Sequence, residues 1–264
     1  MNGERGGPQV IAHRGASAKA PENTLAAAGK AVAIGVDGVE CDVHRTRDGA
    51  LVVIHDRHLR RTTDAMGRFP GRDPWRVRDF TLEEIRGLDA GSWFGPEHAG
   101  ERVPTLAEWG TAVGPSTRLL VEVKHPDRYP GIALDLLAEL RSAPALDHAV
   151  TTGRLTVQSF DHGWVASFRE LAPEITVGLL YESRPTVAAI AHAARFAGQV
   201  NPSHRVVGRD LVRRVHDAGL QVHVWTPDSH GQLLRCRALG VDGVITNRPE
   251  RFRPGAAGRP TLGA

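Results

Sequence analysis

The sequence predicts an α/β protein, a TIM-type (β/α)8 barrel that is locally distorted and carries a small inserted cap after its third strand. Short apolar segments rich in β-branched residues recur along the chain, and most are followed by segments with the periodicity of an amphipathic helix. Alternation of this kind indicates a parallel sheet covered by helices. The length of 264 residues suits one such barrel, which typically takes about 250 residues.

Nine segments are predicted to be strands, whereas a closed barrel needs eight. They are Gln9–His13, Gly38–Val43, Leu51–His55, Leu119–Lys124, Leu155–Phe160, Val177–Tyr181, Gln199–Asn201, Gln221–Thr226 and Gly243–Thr246. Only a turn around Asp48–Gly49 separates the second segment from the third, which is too short for a crossover helix. These two segments therefore either form a hairpin, or one of them lies outside the barrel. No Gly-x-Gly-x-x-Gly turn follows the first strand, which argues against a dinucleotide-binding fold.

Helical periodicity falls between most of these strands. The predicted helices are Asn23–Ile34, Gly131–Arg141, Gly163–Leu171, Val187–Phe196, Arg209–Ala218 and Gln232–Leu239. Residues 56–115 are rich in Gly, Pro, Arg and Trp, with short helical pieces at Leu82–Arg86 and Leu106–Ala112, and we interpret this segment as the cap. At a barrel's carboxyl face such a segment is expected to contribute to substrate binding. Residues 9–250 are predicted to form a single domain, followed by a flexible Gly/Pro-rich tail at 251–264.

Composition narrows the classes of protein that remain. The two cysteines, Cys41 and Cys236, are far apart and fit a reducing compartment. The first eight residues lack an apolar core, and no run approaches 18 apolar residues, so we expect a cytoplasmic protein without stable membrane insertion. The formal net charge is +3, but the arginines are scattered and no aromatic residues are interleaved with them, which argues against nucleic-acid binding. The oligomeric state stays open.

Polar residues cluster at the carboxyl ends of four predicted strands, where barrel active sites lie. They are His13 and Arg14, then Glu40 and Asp42, then His55, then Glu122 and Lys124. Residues two apart in a strand point to the same face, so each of the two pairs separated by one residue projects together. Buried charges are costly unless they are paired or bound to a cation. Three converging carboxylates, Glu40, Asp42 and Glu122, therefore predict one divalent cation, Mg²⁺ or Ca²⁺.

The remaining residues of this cluster suit phosphodiester cleavage. His13 and His55 can exchange protons near neutral pH, and Arg14 and Lys124 can donate to phosphoryl oxygens. Each residue also has a structural interpretation: a lone strand-end histidine is more often a hydrogen-bonded structural residue, and a lysine can extend from the rim into solvent. The coincidence at four strand ends favours a catalytic site.

Motifs throughout the chain point to one family. They are His13-Arg14-Gly15, Pro21-Glu22-Asn23-Thr24, Gly38-Val39-Glu40-Cys41-Asp42-Val43, Thr46-x-Asp48-Gly49, Val52-Val53-Ile54-His55-Asp56, Val103-Pro104-Thr105-Leu106, Val121-Glu122-Val123-Lys124, Gln158-Ser159-Phe160, Val224-Trp225-Thr226 and Ile245-Thr246-Asn247-Arg248-Pro249. In their order and spacing the sequence resembles the glycerophosphodiester phosphodiesterase family, of the cytoplasmic bacterial type, from His13 to about Pro249.

The resemblance implies a specific site and reaction. The metal ligands would be Glu40, Asp42 and Glu122, the acid–base pair His13 and His55, and the phosphate-binding residues Arg14 and Lys124. The implied substrate is a glycerophosphodiester, a small molecule, and the products are glycerol 3-phosphate and an alcohol. The implied route lets the glycerol 2-hydroxyl attack phosphorus to give a cyclic phosphate that water opens. The sequence leaves direct attack by water equally open.

Three residues and one departure concern the substrate pocket. Gln158, Phe160 and Trp225 are candidate pocket residues, and each has a packing role as its alternative. After Trp225-Thr226 the family usually continues with an aliphatic residue and asparagine, whereas this chain has Pro227-Asp228. We expect this departure to change the loop shape and the alcohol preference, and not the chemistry.

Two other functions compete with this prediction. A lysophospholipase D-type phosphodiesterase would need an apolar path for an acyl chain, and the cap holds few large apolar residues. A non-catalytic barrel that binds phosphodiesters or metal would be expected to have lost a histidine or a carboxylate, yet all of them are present.

Overall fold

The protein is a closed barrel of parallel strands, as the sequence predicts. The computed structural model describes residues 7–252, so most of the predicted tail lies outside the described residues. This part of the chain contains β1 (Gln9–Ala12), β2 (Gly38–Arg45), β3 (Leu51–Val53), β4 (Arg118–Val123), β5 (Leu155–Ser159), β6 (Thr176–Tyr181), β7 (Gln199–Pro202), β8 (Gln221–Trp225) and β9 (Gly243–Thr246). The parallel strands pair in the order β1-β2-β4-β5-β6-β7-β8-β9, and β9 pairs with β1 to close the barrel.

The third strand lies outside the barrel wall. β3 runs antiparallel to the outer part of β2, with Val43 opposite Val53, whereas residues 38–43 of β2 pair with β4. Both alternatives left open by the sequence are therefore correct, because the two segments form a hairpin and one of them is not a barrel strand. The hairpin returns the chain to the barrel mouth, where the Ile54 N–H donates to the Asp42 carbonyl at 2.9 Å. His55 follows directly.

Helices surround the barrel in the described part of the chain. They are α1 (Leu25–Ile34), α2 (Ala65–Arg68), α3 (Leu82–Arg86), α4 (Leu106–Val113), α5 (Ile132–Ser142), α6 (Pro144–Thr151), α7 (His162–Leu171), α8 (Val187–Ala193), α9 (Arg209–Asp217) and α10 (His230–Leu239). Sequence periodicity missed α2 and α6. Only Ala143 separates α6 from α5, and Pro144 occupies its first position, where proline is compatible with a helix because the missing N–H needs no partner there.

The segment after β3 has a hydrophobic core of its own. That core consists of Val52, Ile54, Leu59, Ala65, Val77, Phe80, Ile85, Leu88, Ala90 and Val103. By contrast, α4 buries Leu106 and Trp109 in the main core of the barrel. The predicted cap segment is thus divided between the two cores. We infer that residues 9–250 form one domain, because the hairpin that begins the insert is hydrogen-bonded to a barrel strand.

Strand alternation gives the barrel a polar interior above an apolar layer. On β2, Cys41 packs in the main core against the helices, whereas Glu40 and Asp42 face inward. Ile11, Leu120 and Ile245 form a separate apolar cluster inside the barrel. Among residues 7–252, no helix combines the length and the apolar character needed to cross a lipid bilayer.

Candidate active site

Three buried carboxylates from two neighbouring strands meet at the carboxyl end of the barrel. The register of β2 and β4 sets Asp42 opposite Glu122, and Glu40 lies two residues before Asp42 on the same face. One ligand oxygen from each of the three side chains lies within 4.8 Å of the others, and all three residues are buried. The sequence-predicted triad is thereby brought together in space.

Burial and mutual repulsion give this triad the electrostatics of a cation site. Burial raises the pKa of Glu40 well above its usual value, and the charges of Asp42 and Glu122 add to that rise. Burial also raises the pKa of Glu122, although Lys124 opposes it. Burial alone would raise the pKa of Asp42, but Arg14 and Lys124 outweigh it and hold that pKa below its usual range. Asp42 Oδ1 is buried without a hydrogen-bond partner among the described residues.

A divalent cation fits these residues. Oxygen donors of this kind suit Mg²⁺ or Ca²⁺, and a double positive charge would offset the repulsion among the carboxylates and engage the unpartnered Asp42 oxygen. Neighbouring positive side chains offset part of the repulsion. Lys124 Nζ lies 2.6 Å from Glu122 Oε1 and 3.6 Å from Asp42 Oδ1, and Arg14 Nε lies 3.1 Å from Asp42 Oδ2.

The turn after β1 needs a glycine to place Arg14. Arg14 and Gly15 both adopt left-handed backbone conformations, with φ of 57° and 78°. In this turn the Arg14 N–H donates to Glu40 Oε2 at 2.9 Å. A Cβ on Gly15 would lie 2.6 Å from the Ala27 carbonyl carbon, at the start of α1. The His13-Arg14-Gly15 motif therefore has a steric basis as well as a chemical one.

We expect Gly15→Ala to destabilise the fold by about 2 kcal/mol or more, because it adds a steric clash to an unfavourable φ. Gly35→Ala is the matched control, since Gly35 also has a left-handed φ of 77° but open space around its missing Cβ. Urea unfolding of both variants measures the difference. Equal losses of stability would mean that the contact with Ala27 costs nothing.

Each histidine is held by a different kind of partner. His13 Nδ1 lies 2.7 Å from Asn247 Oδ1, a neutral amide oxygen. His55 Nδ1 lies 2.7 Å from Asp56 Oδ1, a carboxylate. Burial, with the nearby charge of Arg14, lowers the pKa of His13 to about 4. The His13 ring is thus neutral at pH 7, whereas the His55 ring is held by a carboxylate partner.

A chain of charged side chains links the two histidine-bearing segments. Arg61 Nε donates to Asp56 Oδ2 at 2.6 Å, and its Nη2 donates to Glu22 Oε1 at 2.6 Å. Glu22 Oε1 also accepts from Arg14 Nη1 at 2.9 Å. Burial would raise the pKa of Asp56, but hydrogen bonds from His55 and Arg61 hold it below its usual range. Asp56 therefore stays ionised beside the His55 ring.

One cavity of about 230 Å³ collects the predicted site residues. Its lining includes every one of them except Asp42, which lies in the triad. The lining residues are His13, Arg14, Glu40, His55, Glu122, Lys124, Gln158, Phe160, Leu180, Glu182, Trp225, Thr226 and Ile245. None of them comes from residues 56–115, so the predicted cap does not form a wall of this cavity, contrary to the expectation from the sequence. The insert contacts the site through Arg61, and its apolar side chains pack in a core of their own.

The three candidate pocket residues have defined contacts. Gln158 Oε1 accepts a hydrogen bond from Asn201 Nδ2 at 2.8 Å, and the indole N–H of Trp225 donates to the Asn201 carbonyl at 2.8 Å. Phe160 and Trp225 meet edge to face with ring centroids 5.7 Å apart, and Phe160 is 46% exposed. These rings form an apolar part of the cavity lining, and Lys124 Nζ lies 5.9 Å from the centroid of the Phe160 ring.

Sequence reasoning missed several residues of the site. Asp56 and Asn247 lie within the motifs that carry the family resemblance. Their positions in the site depend on contacts with the two histidines, which the sequence does not show. Asn23 donates to Asp42 Oδ2 at 2.9 Å, whereas the sequence places it only at the start of a predicted helix. Glu182 lies two residues after Leu180 in β6, so strand alternation could have placed it at the cavity.

Comparison with known proteins decides the family. The sequence profile of the glycerophosphoryl diester phosphodiesterase family matches residues 13–251. The chain belongs to this family. A glycerophosphodiester phosphodiesterase of Bacillus subtilis is 34% identical over 255 residues, covering 92% of this chain and 84% of that relative. One from Caldanaerobacter subterraneus subsp. tengcongensis is 37% identical over 243 residues, covering 91% and 94%.

Solved structures of similar proteins share the architecture. A phosphodiesterase from Oleispira antarctica, determined in complex with the product sn-glycerol-3-phosphate, superposes with a TM-score of 0.79. It is 29% identical, and the match covers 93% of this chain and 95% of that one. A protein from Silicibacter pomeroyi gives a TM-score of 0.78 at 28% identity, and the match covers 94% of this chain and 92% of that one. Membership in the family thus accounts for the barrel architecture.

Proposed function

We propose that this protein hydrolyses glycerophosphodiesters to glycerol 3-phosphate and an alcohol, with one divalent cation, Mg²⁺ or Ca²⁺, bound by Glu40, Asp42 and Glu122. The observation that carries the proposal is the position of this buried triad beside two histidines and two cationic side chains in one cavity. Two relatives, from Bacillus subtilis and Caldanaerobacter subterraneus, are glycerophosphodiester phosphodiesterases, and the Oleispira phosphodiesterase binds glycerol 3-phosphate as a product, which supports the same substrate class.

The two histidines have complementary roles in the proposed reaction. His13 is neutral and accepts the proton of the attacking hydroxyl through Nε2, while the imidazolium of His55, supported by Asp56, gives its proton to the departing alcohol oxygen. One P–O bond forms as the other breaks. If the nucleophile is the glycerol 2-hydroxyl, water then opens the cyclic phosphate: His55 takes the proton of water, and His13 returns its proton to the 2-oxygen.

Positive charge on the phosphoryl oxygens completes the mechanism. Arg14 and Lys124 line the cavity and are held in place by carboxylates, so their donors are oriented before substrate binds. A bound divalent cation supplies Lewis-acid polarisation of a phosphoryl oxygen. Phe160, Trp225 and Gln158 are proposed to form the wall against which the glycerol carbons pack.

The cavity favours a short polar substrate over an acylated one. Its volume of about 230 Å³ lies below the range of about 300 Å³ and more that is common for pockets holding larger apolar ligands. Most of its lining residues are charged or polar, and the insert adds no apolar channel. We therefore place lysophospholipase D activity second. The buried, free cysteines Cys41 and Cys236 are compatible with the proposed cytoplasmic location.

We expect the purified protein to release glycerol 3-phosphate from glycerophosphocholine and glycerophosphoethanolamine. An enzyme-coupled assay of glycerol 3-phosphate, run with Mg²⁺, with Ca²⁺ and with EDTA, measures this directly. EDTA should stop release, and one of the two ions should restore it. Release with lysophospholipids alone would establish the second function, and no release from either substrate class would support the non-catalytic barrel.

A further inference from the structure

Asp228 lies in the loop between β8 and α10, where the chain departs from the usual family residue. Its carboxylate accepts three hydrogen bonds from the end of β9 and the residue that follows. Oδ1 accepts from the Thr246 hydroxyl at 2.9 Å and from the Asn247 backbone N–H at 2.9 Å. Oδ2 accepts from the Asn247 side-chain Nδ2 at 2.7 Å. Asp228 is thus used to hold Asn247 and does not serve only to shape a loop.

These contacts fix the orientation of the Asn247 side-chain amide. An ionised carboxylate can only accept hydrogen bonds, so the NH₂ group of Asn247 has to face Asp228. The amide oxygen of Asn247 therefore points the other way. On that side it lies 2.7 Å from His13 Nδ1 and 2.9 Å from the Ser17 hydroxyl.

The amide orientation in turn fixes the tautomer of His13. Because an amide oxygen can only accept, the proton of the neutral His13 ring resides on Nδ1. The other nitrogen, Nε2, keeps its lone pair for proton exchange at the cavity. The same arrangement also supports the doubly protonated ring that forms once Nε2 has accepted a proton, since Nδ1 donates in both states.

We propose that Asp228 is a positioning residue that sets the tautomer and orientation of His13 through Asn247. The proposal rests on the proposed role of His13 in proton transfer. It also changes the expectation drawn from the sequence, by which the Pro227-Asp228 departure affects loop shape and alcohol preference. The contacts connect that departure to the chemistry instead.

Few other charged groups act on His13. Arg14 and His55 disfavour its protonated form, and Asp42 favours it. All three remain in place when Asp228 or Asn247 is altered. A change in the pH profile of these variants is therefore attributable to the Asp228–Asn247 pair.

The first test is Asp228→Asn, which changes one oxygen into an NH₂ group. The new amide keeps its oxygen for Thr246 and the Asn247 N–H, so its NH₂ meets the NH₂ of Asn247. Rotation of the Asn247 amide by half a turn relieves this clash, but it points an NH₂ group at His13 Nδ1. The His13 proton then moves to Nε2, and the ring loses its free acceptor. We expect kcat to fall on the order of 100-fold with little change in KM.

The second test reverses the pair. In Asp228→Asn combined with Asn247→Asp, a carboxylate at position 247 again accepts from His13 Nδ1 and from Ser17, and it also accepts from the new amide at position 228. Each donor has an acceptor, so we expect the double variant to recover to within about tenfold of the parent kcat. Asn247→Asp alone sets two carboxylates against each other and should lose activity. Because the double variant adds a negative charge beside His13, its acid limb should move to higher pH.

Three measurements separate positioning from a general loss of structure. Thermal unfolding checks that each variant is folded. The matched control for activity and stability is Asp210→Asn, which makes the same change at an exposed aspartate that accepts hydrogen bonds from Arg213 and Arg214. Imidazole ¹⁵N shifts, assigned with the His13→Ala variant, report the tautomer without substrate. Loss of activity on Asp228→Asn, a shift of the proton to Nε2 and rescue by the double variant support the proposal.

Other outcomes overturn the proposal in distinguishable ways. Parent-like kcat and an unchanged His13 tautomer in Asp228→Asn would refute the positioning role, even with His13→Ala inactive. Failure of a folded double variant to recover would also refute it. Activity in His13→Ala would instead remove the proposed role of His13 itself. If Asn247→Asp does not fold, the Asp228→Asn and double variants still decide the matter.

Discussion

Replacing His13 or His55 by alanine should reduce kcat by about 10²- to 10⁴-fold for each variant, the usual contribution of a positioned acid or base. The physical reason is that, in the proposed mechanism, each ring exchanges a proton with a reacting oxygen, and the described site offers no other neutral base of similar position. Cation binding should persist, because the predicted ligands are the three carboxylates and neither ring belongs to that group.

The measurement is the rate of glycerol 3-phosphate release together with the half-activating concentration of Mg²⁺ or Ca²⁺. His216→Ala is the matched control, since His216 also pairs with a carboxylate, Asp242 at 2.8 Å, but lies away from the cavity. A His13 or His55 variant with nearly unchanged kcat would exclude that histidine from the mechanism. Loss of cation activation in either variant would instead indicate a role in metal binding.

The second large effect is expected at the triad. Glu122→Gln removes one negative charge and one strong oxygen ligand, so the concentration of divalent cation needed for half activation should rise about tenfold or more, since losing even an outer-shell partner of a metal ligand can cost that much. The substitution also removes the carboxylate that lies 2.6 Å from Lys124 Nζ, so Lys124, a proposed phosphate-binding residue, is held less firmly. Both changes lower activity at limiting metal concentration.

A metal titration of activity checks this expectation, and isothermal calorimetry of the resting protein gives a readout independent of turnover. Glu139→Gln is the control, because burial also raises the pKa of Glu139, while its carboxylate accepts from the Ala107 N–H on the barrel's outer layer. An unchanged titration for Glu122→Gln would remove Glu122 from the ligand set.

The sequence predicts the barrel and its strand ends well, for a physical reason. Strands buried between helices and barrel interior are short apolar runs, and a charged pair such as Glu40 and Asp42 stands out within one. The period of two along a strand then specifies which side chains converge. Each of the nine predicted strands is present, with boundaries that differ by a residue or two.

What the sequence does not predict depends on contacts between distant segments. Asn247 lies 234 positions from His13, and the Asp228 carboxylate acts on the imidazole ring indirectly, through the Asn247 amide. No local pattern distinguishes an asparagine that orients a histidine from one that ends a strand. The placement of the insert is similar, because its own hydrophobic core becomes visible only when residues such as Val52 and Val103 are brought together.

The hairpin of β2 and β3 has a consequence for how activity depends on stability. His13 and the triad are carried by the barrel, whereas His55 follows Ile54, which is buried in the core of the insert. The two histidines of the proposed proton-transfer pair therefore depend on two separately packed hydrophobic cores. Loosening of the smaller core would move His55 while the barrel stayed intact. The catalytic rate should therefore respond to loss of packing in the insert before global unfolding is detected.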